Sequence, residues 1–135
     1  MLKVIIGVKG TGKTKALINL VNEAVEKSHG DVVCIEKGVK LRFDIKYRAR
    51  LIDTNEYFVN DAQSLYGFVA GILASNHDVT DLFIDSSLKI CNEDYAAFDT
   101  FVEEVANIAE KSGVSVVMTA SMPADAASDV VKKYL

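Results

Sequence analysis

A chain of 135 residues can bury one core but is short for a second domain of ordinary size, so residues 1–135 are expected to form a single domain. Half the residues are hydrophobic, which argues against disorder, and the net charge of -4 argues against a general nucleic-acid binder, whose phosphate contacts need a basic surface. No apolar run reaches the roughly 20 residues that span a bilayer, Cys34 and Cys91 lack metal-ligand spacing, and nothing before the first strand reads as a signal peptide; a cytoplasmic protein with reduced thiols is expected.

Leu2 to Ile6 is a continuous apolar run, as in a strand buried on both faces of a parallel sheet. It leads directly into Gly7-Val8-Lys9-Gly10-Thr11-Gly12-Lys13-Thr14, which fits the phosphate-binding pattern G-x-x-x-x-G-K-[ST] at every fixed position. A phosphate in such a loop is wrapped by main-chain N–H groups, and the first N–H groups of the following helix point at the same anion. Lys13 would reach the β and γ phosphates, and Thr14 would offer its hydroxyl to Mg²⁺, which prefers oxygen ligands. The candidate ATP-binding residues are therefore Gly7, Val8, Lys9, Gly10, Thr11, Gly12, Lys13, Thr14 and Lys15, with Lys9 either a charge at the phosphate edge or a solvated loop residue.

The next helix carries Ala16, Leu17, Leu20, Val21, Ala24 and Val25 on one face, with Gly30 as its stop. Val32 to Ile35 is the second strand and Glu36 ends it. In residues 37–47, Leu41, Phe43 and Ile45 alternate like an exposed strand. The three arginines, Arg42, Arg48 and Arg50, cluster here, either as the charged guard of an edge hairpin or as a finger offered to an adjacent subunit. Arg50 to Asp53 reads as a strand, and Leu65, Phe68, Val69, Ile72 and Leu73 mark an amphipathic helix.

Asp81 to Asp85 returns to the sheet, and its terminal Asp85 is the candidate carboxylate for Mg²⁺ between phosphate oxygens. A helix over 92–111 follows, capped by Asn92, with Tyr95, Phe98, Phe101, Val102, Val105 and Ile108 on its apolar face. Val114 to Met118 is the last strand, and Pro123 opens a short helix ending near Tyr134. His29, His77, Tyr47 and Tyr66 read as surface or packing residues, with the tyrosines as alternative adenine stackers. The alternation predicts a three-layer α/β fold with a mostly parallel sheet of about five strands flanked by helices, and parallel strands joined by crossovers bring their ends to one edge.

With its phosphate loop and acid-ended strand, the chain resembles a P-loop NTPase of the RecA-like division over nearly its whole length. That resemblance implies a strand between the loop strand and the acidic strand, ending in a polar residue that senses the γ-phosphate. Thr119 is the match and Ser121 the second choice; a hydroxyl capping the last helix is the other reading. Many related ATPases place Glu directly after the acid, where this chain has Ser86. RecA and its closest relatives carry the catalytic Glu on a different strand end, which makes Glu36 the candidate base and a solvated strand-end charge its alternative. An Asn-Lys-x-Asp base-reading motif for GTP is missing, as are the zinc-binding cysteines and Asp-Glu pair of thymidine kinases. The chain also resembles short stand-alone bacterial P-loop proteins labelled twitching-motility ATPases, although the pilus retraction motors are much longer. The resemblance implies an ATP-binding protein that hydrolyses ATP slowly with Mg²⁺, as a nucleotide-controlled switch or small motor component working with a second copy or a protein partner. The alternatives are a non-catalytic nucleotide sensor and a small-molecule kinase using the basic 42–50 segment.

Overall fold

The computed structural model describes all residues, 1–135. Its strands are β1 (Leu2–Gly7), β2 (Asp31–Glu36), β3 (Arg50–Asp53), β4 (Val79–Ile84) and β5 (Ser115–Ser121), and its helices are α1 (Lys13–Lys27), α2 (Ala62–Ser75), α3 (Ser87–Ile90), α4 (Tyr95–Ser112) and α5 (Asp129–Lys132). The five strands form one sheet in the order β1-β5-β4-β2-β3, and every pair is parallel.

Side chains alternate across this sheet with period 2, and each face is covered. Leu82 and Ile84 of β4 face a larger core with Phe98, Phe101 and Val105 of α4 and Leu65 and Val69 of α2. Phe83 faces the other way, onto Leu17, Val21 and Val25 of α1. Burial on both faces explains why the strands read as unbroken apolar runs.

α2 starts where Asp61 accepts from Ser64 N at 2.7 Å while the Ser64 hydroxyl accepts from Asp61 N, a reciprocal cap. α4 is capped by Asp94, whose carboxylate accepts from Ala97 N at 3.1 Å. The expected cap, Asn92, and Glu93 instead adopt left-handed conformations, φ 59° and 56°, so the helix starts at Tyr95 and leaves that ring 44% exposed. Asn92 donates to the Asn60 carbonyl at 2.7 Å instead. Ser87–Ile90 is a single turn of helix after β4. Pro123 precedes a 3-10 turn over Ala124–Ala126, and Ser128 caps the separate α5.

The exposed strand expected in residues 37–47 does not form. Leu41, Ile45 and Ala49 are buried and join the α1 core, whereas Phe43 is 91% exposed. The inward residues recur every fourth position because the chain turns repeatedly, with Ile45 N donating to the Leu41 carbonyl at 3.1 Å and Ala49 N to the Lys46 carbonyl at 2.9 Å. This crossover occupies part of the helical layer without being a helix. Asn22 of α1 fastens it, donating to the Asp44 carbonyl and accepting from Lys46 N, each at 2.9 Å.

Gly30 does not end α1, whose C-cap is Ser28. A Cβ at Gly30 would collide with the Asp78 carbonyl, a backbone atom that cannot step aside. Gly67, exposed within α2, meets nothing within 4 Å. Gly30→Ala is therefore expected to destabilise the protein by about 1–3 kcal/mol through overpacking, whereas Gly67→Ala should stabilise it by about 0.5–1 kcal/mol through helix propensity; urea titration of both variants checks the opposite signs.

Candidate nucleotide-binding site

The C-terminal ends of β1, β5, β4 and β2 meet at one edge. There the Gly7–Thr14 loop, Asp85, Thr119 and Glu36 lie near one another, and a cleft of about 490 Å³ is lined by Lys13, Thr14, Glu36, Asp85, Thr119 and Ser121 among others. Register explains the gathering: Ile35 pairs with Ile84 and Ile84 with Met118, so the next residues, Glu36, Asp85 and Thr119, emerge side by side.

Gly10 and Gly12 have φ 86° and 85°, values that L side chains rarely adopt. Gly12 precedes α1 with no side-chain cap, so the first N–H groups of that helix have no side-chain acceptor there. Within the loop the Thr11 hydroxyl donates to the Val8 carbonyl at 2.7 Å, and Lys13 Nζ donates to the same carbonyl at 3.0 Å. A Cβ at Gly7 would collide with the Thr11 hydroxyl. Gly7, Val8 and Thr11 thus brace the loop from within, while Lys9, Gly10, Gly12, Lys13, Thr14 and Lys15 line the cleft.

Asp85, 8% exposed, is the junction of the site. The Thr119 hydroxyl donates to its Oδ1 at 2.7 Å, and the Thr14 hydroxyl lies 3.2 and 3.3 Å from its two oxygens. Thr119 Oγ1 in turn accepts from Ser86 N at 2.8 Å, and the Ser87 hydroxyl donates to the Thr119 carbonyl at 2.7 Å. With its single proton directed at Asp85, and only 1% exposed, Thr119 orients that carboxylate. It caps no helix. Ser121 is exposed and lines the cleft.

The residues fit a small divalent cation. A hydroxyl and a carboxylate in contact are oxygen ligands of the type Mg²⁺ takes, completed by substrate phosphates and water rather than by a protein cage. No group of three or more His, Cys, Asp or Glu side chains offers such a cage.

Glu36, 3% exposed, is no solvated strand-end charge. Its two oxygens accept from Lys40 N at 3.1 Å and Leu41 N at 3.2 Å, which ties down the start of the crossover. Burial raises its carboxyl above the ordinary value near 4.5; the two N–H donors act the other way, and the charges of Asp85 and Asp53 add to the rise.

Sequence reasoning missed the charge of the cleft. Besides Lys9, Lys13 and Lys15 it is lined by Lys37, Lys40 and Lys89 from the segments after β2 and β4, against three acids, Glu36, Asp85 and Glu93. Within a chain of net charge -4, this local excess of cations suits a polyanion. The signal was their position, shortly after the strand ends that carry Glu36 and Asp85. No arginine lines this cleft, nor do Tyr47 or Tyr66: Tyr47 is 95% exposed elsewhere and Tyr66 packs on the larger core. Cys34 and Cys91 are buried free thiols. Burial pushes both upward, Cys91 to about 12, so neither is a ready nucleophile.

No family model matches this sequence, and no curated protein matches it. Among solved structures, a KaiC-like protein from the hyperthermophilic archaeon Pyrococcus horikoshii matches with a TM-score of 0.69 at 15% identity, over 98% of this chain and 66% of that one. The match is one of fold: an α/β unit with five parallel strands between helices. It lends no support to the twitching-motility label. No helix is long and apolar enough to cross a membrane.

The Glu36 carboxyl, followed by side-chain ¹³C NMR, should titrate above 4.5, and Asp85→Asn should move it down by removing a neighbouring negative charge. Because the folded value exceeds the unfolded one, the native state holds the extra proton between them. The Glu36 contribution to stability therefore falls as pH rises from about 4.5 through the folded value. A midpoint below 4.5 in the folded protein would contradict the burial argument.

Proposed function

We propose that this chain binds Mg-ATP and acts as a nucleotide-controlled switch that hydrolyses ATP slowly. One observation carries the reading: a complete phosphate loop whose Thr14 hydroxyl meets the strand-end carboxylate of Asp85 in a lysine-rich cleft. In the reading, N–H groups of residues 10–14 and Lys13 hold the β and γ phosphates, and Thr14 and Asp85 hold Mg²⁺, which supplies charge neutralisation on the phosphate oxygens. Thr119 is a positioning residue that fixes the Asp85 carboxylate.

Hydrolysis forms a bond from the water oxygen to the γ phosphorus as the bond to the β–γ bridging oxygen breaks. Glu36 is the proposed acceptor of the water's proton, a role supported by its place on the cleft wall and by the burial that makes it more basic. Three features argue for slow turnover: Ser86 follows Asp85, no arginine lines the cleft, and both Glu36 oxygens already accept N–H groups. The last feature also favours a second reading, a sensor that binds nucleotide without turning it over.

Mg-ATP and Mg-ADP should raise the melting temperature, since a ligand selective for the folded state stabilises it by about 2.7 kcal/mol at 100 times its dissociation constant. Lys13→Ala should abolish that response with little change in ligand-free stability, and an unchanged response would remove the phosphate-loop assignment. Asp85→Asn should weaken binding with Mg²⁺ more than binding in EDTA.

Steady-state turnover should lie well below about 10 per second. Glu36→Gln should remove most of it while leaving ADP affinity within about threefold, because the carboxylate acts on the water. Zero turnover in the native chain, with tight nucleotide binding retained, would select the sensor.

A further inference from the structure

A second cavity of about 380 Å³ lies between the 37–49 crossover and β3, on the far side of Glu36 from the phosphate loop, with Glu36 in the wall of both. Arg42, Arg50, Tyr47 and Tyr57 are on its wall. Its charged groups are unequally engaged. Lys46 is paired with Glu26, and the Glu36 and Asp53 carboxylates already accept backbone N–H groups, Asp53 from Gly38 N at 2.8 Å and Asn55 N at 2.9 Å. Arg42, Arg50 and Glu56 are the charged side chains of the wall in no ion pair and no side-chain hydrogen bond, two cations against one acid; the Arg42 guanidinium lies 5.4 Å from the Phe43 ring centre. A guanidinium presents a planar fork of donors that matches a phosphate or carboxylate, and Tyr47, 95% exposed, is a free face for a flat ring, whereas the half-exposed Tyr57 ring already packs on Phe68 with 5.5 Å between ring centres.

We propose that this cavity binds a small molecule joining a phosphate-like anionic group to an aromatic ring, and that the ligand acts on the neighbouring cleft through residues 36–41. The residues of that segment divide between the two sites: Gly38 and Val39 line the second cavity, whereas Lys37, Lys40 and Leu41 line the phosphate-loop cleft. The segment is short and is pinned at one end by Glu36 and at its middle by Asp53, so a shift forced on Gly38 is transmitted to Lys37 and Lys40. The coupling to a nucleotide rests on the proposed function; the binding of the second ligand does not.

The test uses the full ¹⁵N-labelled chain without nucleotide, titrated with phenylphosphonate and followed by amide NMR. Saturable shifts are expected at Gly38, Arg42, Arg50 and Leu51, extending to Lys37 and Lys40. Arg42→Ala and Arg50→Ala, both changes at exposed side chains, should each raise the dissociation constant about tenfold, the loss expected for a hydrogen bond between charged groups. Inorganic phosphate and phenol should each bind at least about tenfold more weakly at these residues, since each supplies half of the recognition. Shifts confined to residues 7–15, no saturation, or indifference to both arginine variants would overturn the site. Equal binding of inorganic phosphate would overturn the ring, and silent amides at Lys37 and Lys40 would overturn the coupling. Because no nucleotide is present, these failures are distinct from a failure of the ATP assignment, which the Lys13 melting experiment reads.

Discussion

The Asp85 carboxylate is a buried charge at the end of a central strand, and much of this protein's architecture serves to satisfy it. An unpaired carboxylate there would be strongly destabilising, so it must collect donors. It collects them from three directions: Thr119 from β5, Thr14 from α1 and the adjacent Ser86. Those bonds lock the first turn of α1 against the middle of the sheet and so fix the orientation of the phosphate loop that precedes it. The requirement to satisfy one charge and the requirement to hold a phosphate loop are met by the same atoms.

A parallel sheet delivers its chemistry to one edge, and the neighbouring strand ends show how that edge is divided. Asp85, Glu36 and Asp53 end three adjacent strands, β4, β2 and β3. Only Asp85 gathers hydroxyls. Glu36 and Asp53 gather backbone N–H groups from residues 38–41, so they hold the crossover that roofs the edge. The same carboxylate type therefore serves as a polar junction at the centre of the sheet and as a loop anchor toward its margin, according to whether hydroxyls or turning backbone lie beside it.

The phosphate loop, the five strands and the faces of α1, α2 and α4 were legible in the sequence because burial leaves a periodic record. Leu17, Val21 and Val25 recur at helical spacing, and Leu82, Phe83 and Ile84 are apolar in succession because both faces are covered. The 37–49 crossover was not legible, because its buried residues Leu41, Ile45 and Ala49 follow successive turns, a spacing that short-range alternation with Phe43 concealed. The α4 start was misplaced because Asn92, Glu93 and Asp94 are all plausible caps by type, and the left-handed backbone at the first two decided for the third. The acid after β4 could be read from the sequence, and the resemblance put Thr119 on the strand between β1 and β4; that its hydroxyl would donate to Asp85 was not legible, since it depends on the register of β5 against β4.

Charge is sorted by position rather than by total. The cleft concentrates six lysines, whose compact, mobile ammonium groups suit a ligand with many anionic oxygens and little directional demand. The arginines are kept out of it, and two of the three line the cavity beyond Glu36, where a planar donor fork favours one oriented anion. A net charge of -4 averages over this division and conceals it. Glu36 stands at the boundary, in the wall of both cavities, with its carboxylate holding the backbone of Lys40 and Leu41. Glu36 is the only buried Glu in the chain, and because the Lys40 and Leu41 N–H groups oppose the upward push of burial on its carboxyl, the backbone it holds also sets its basicity.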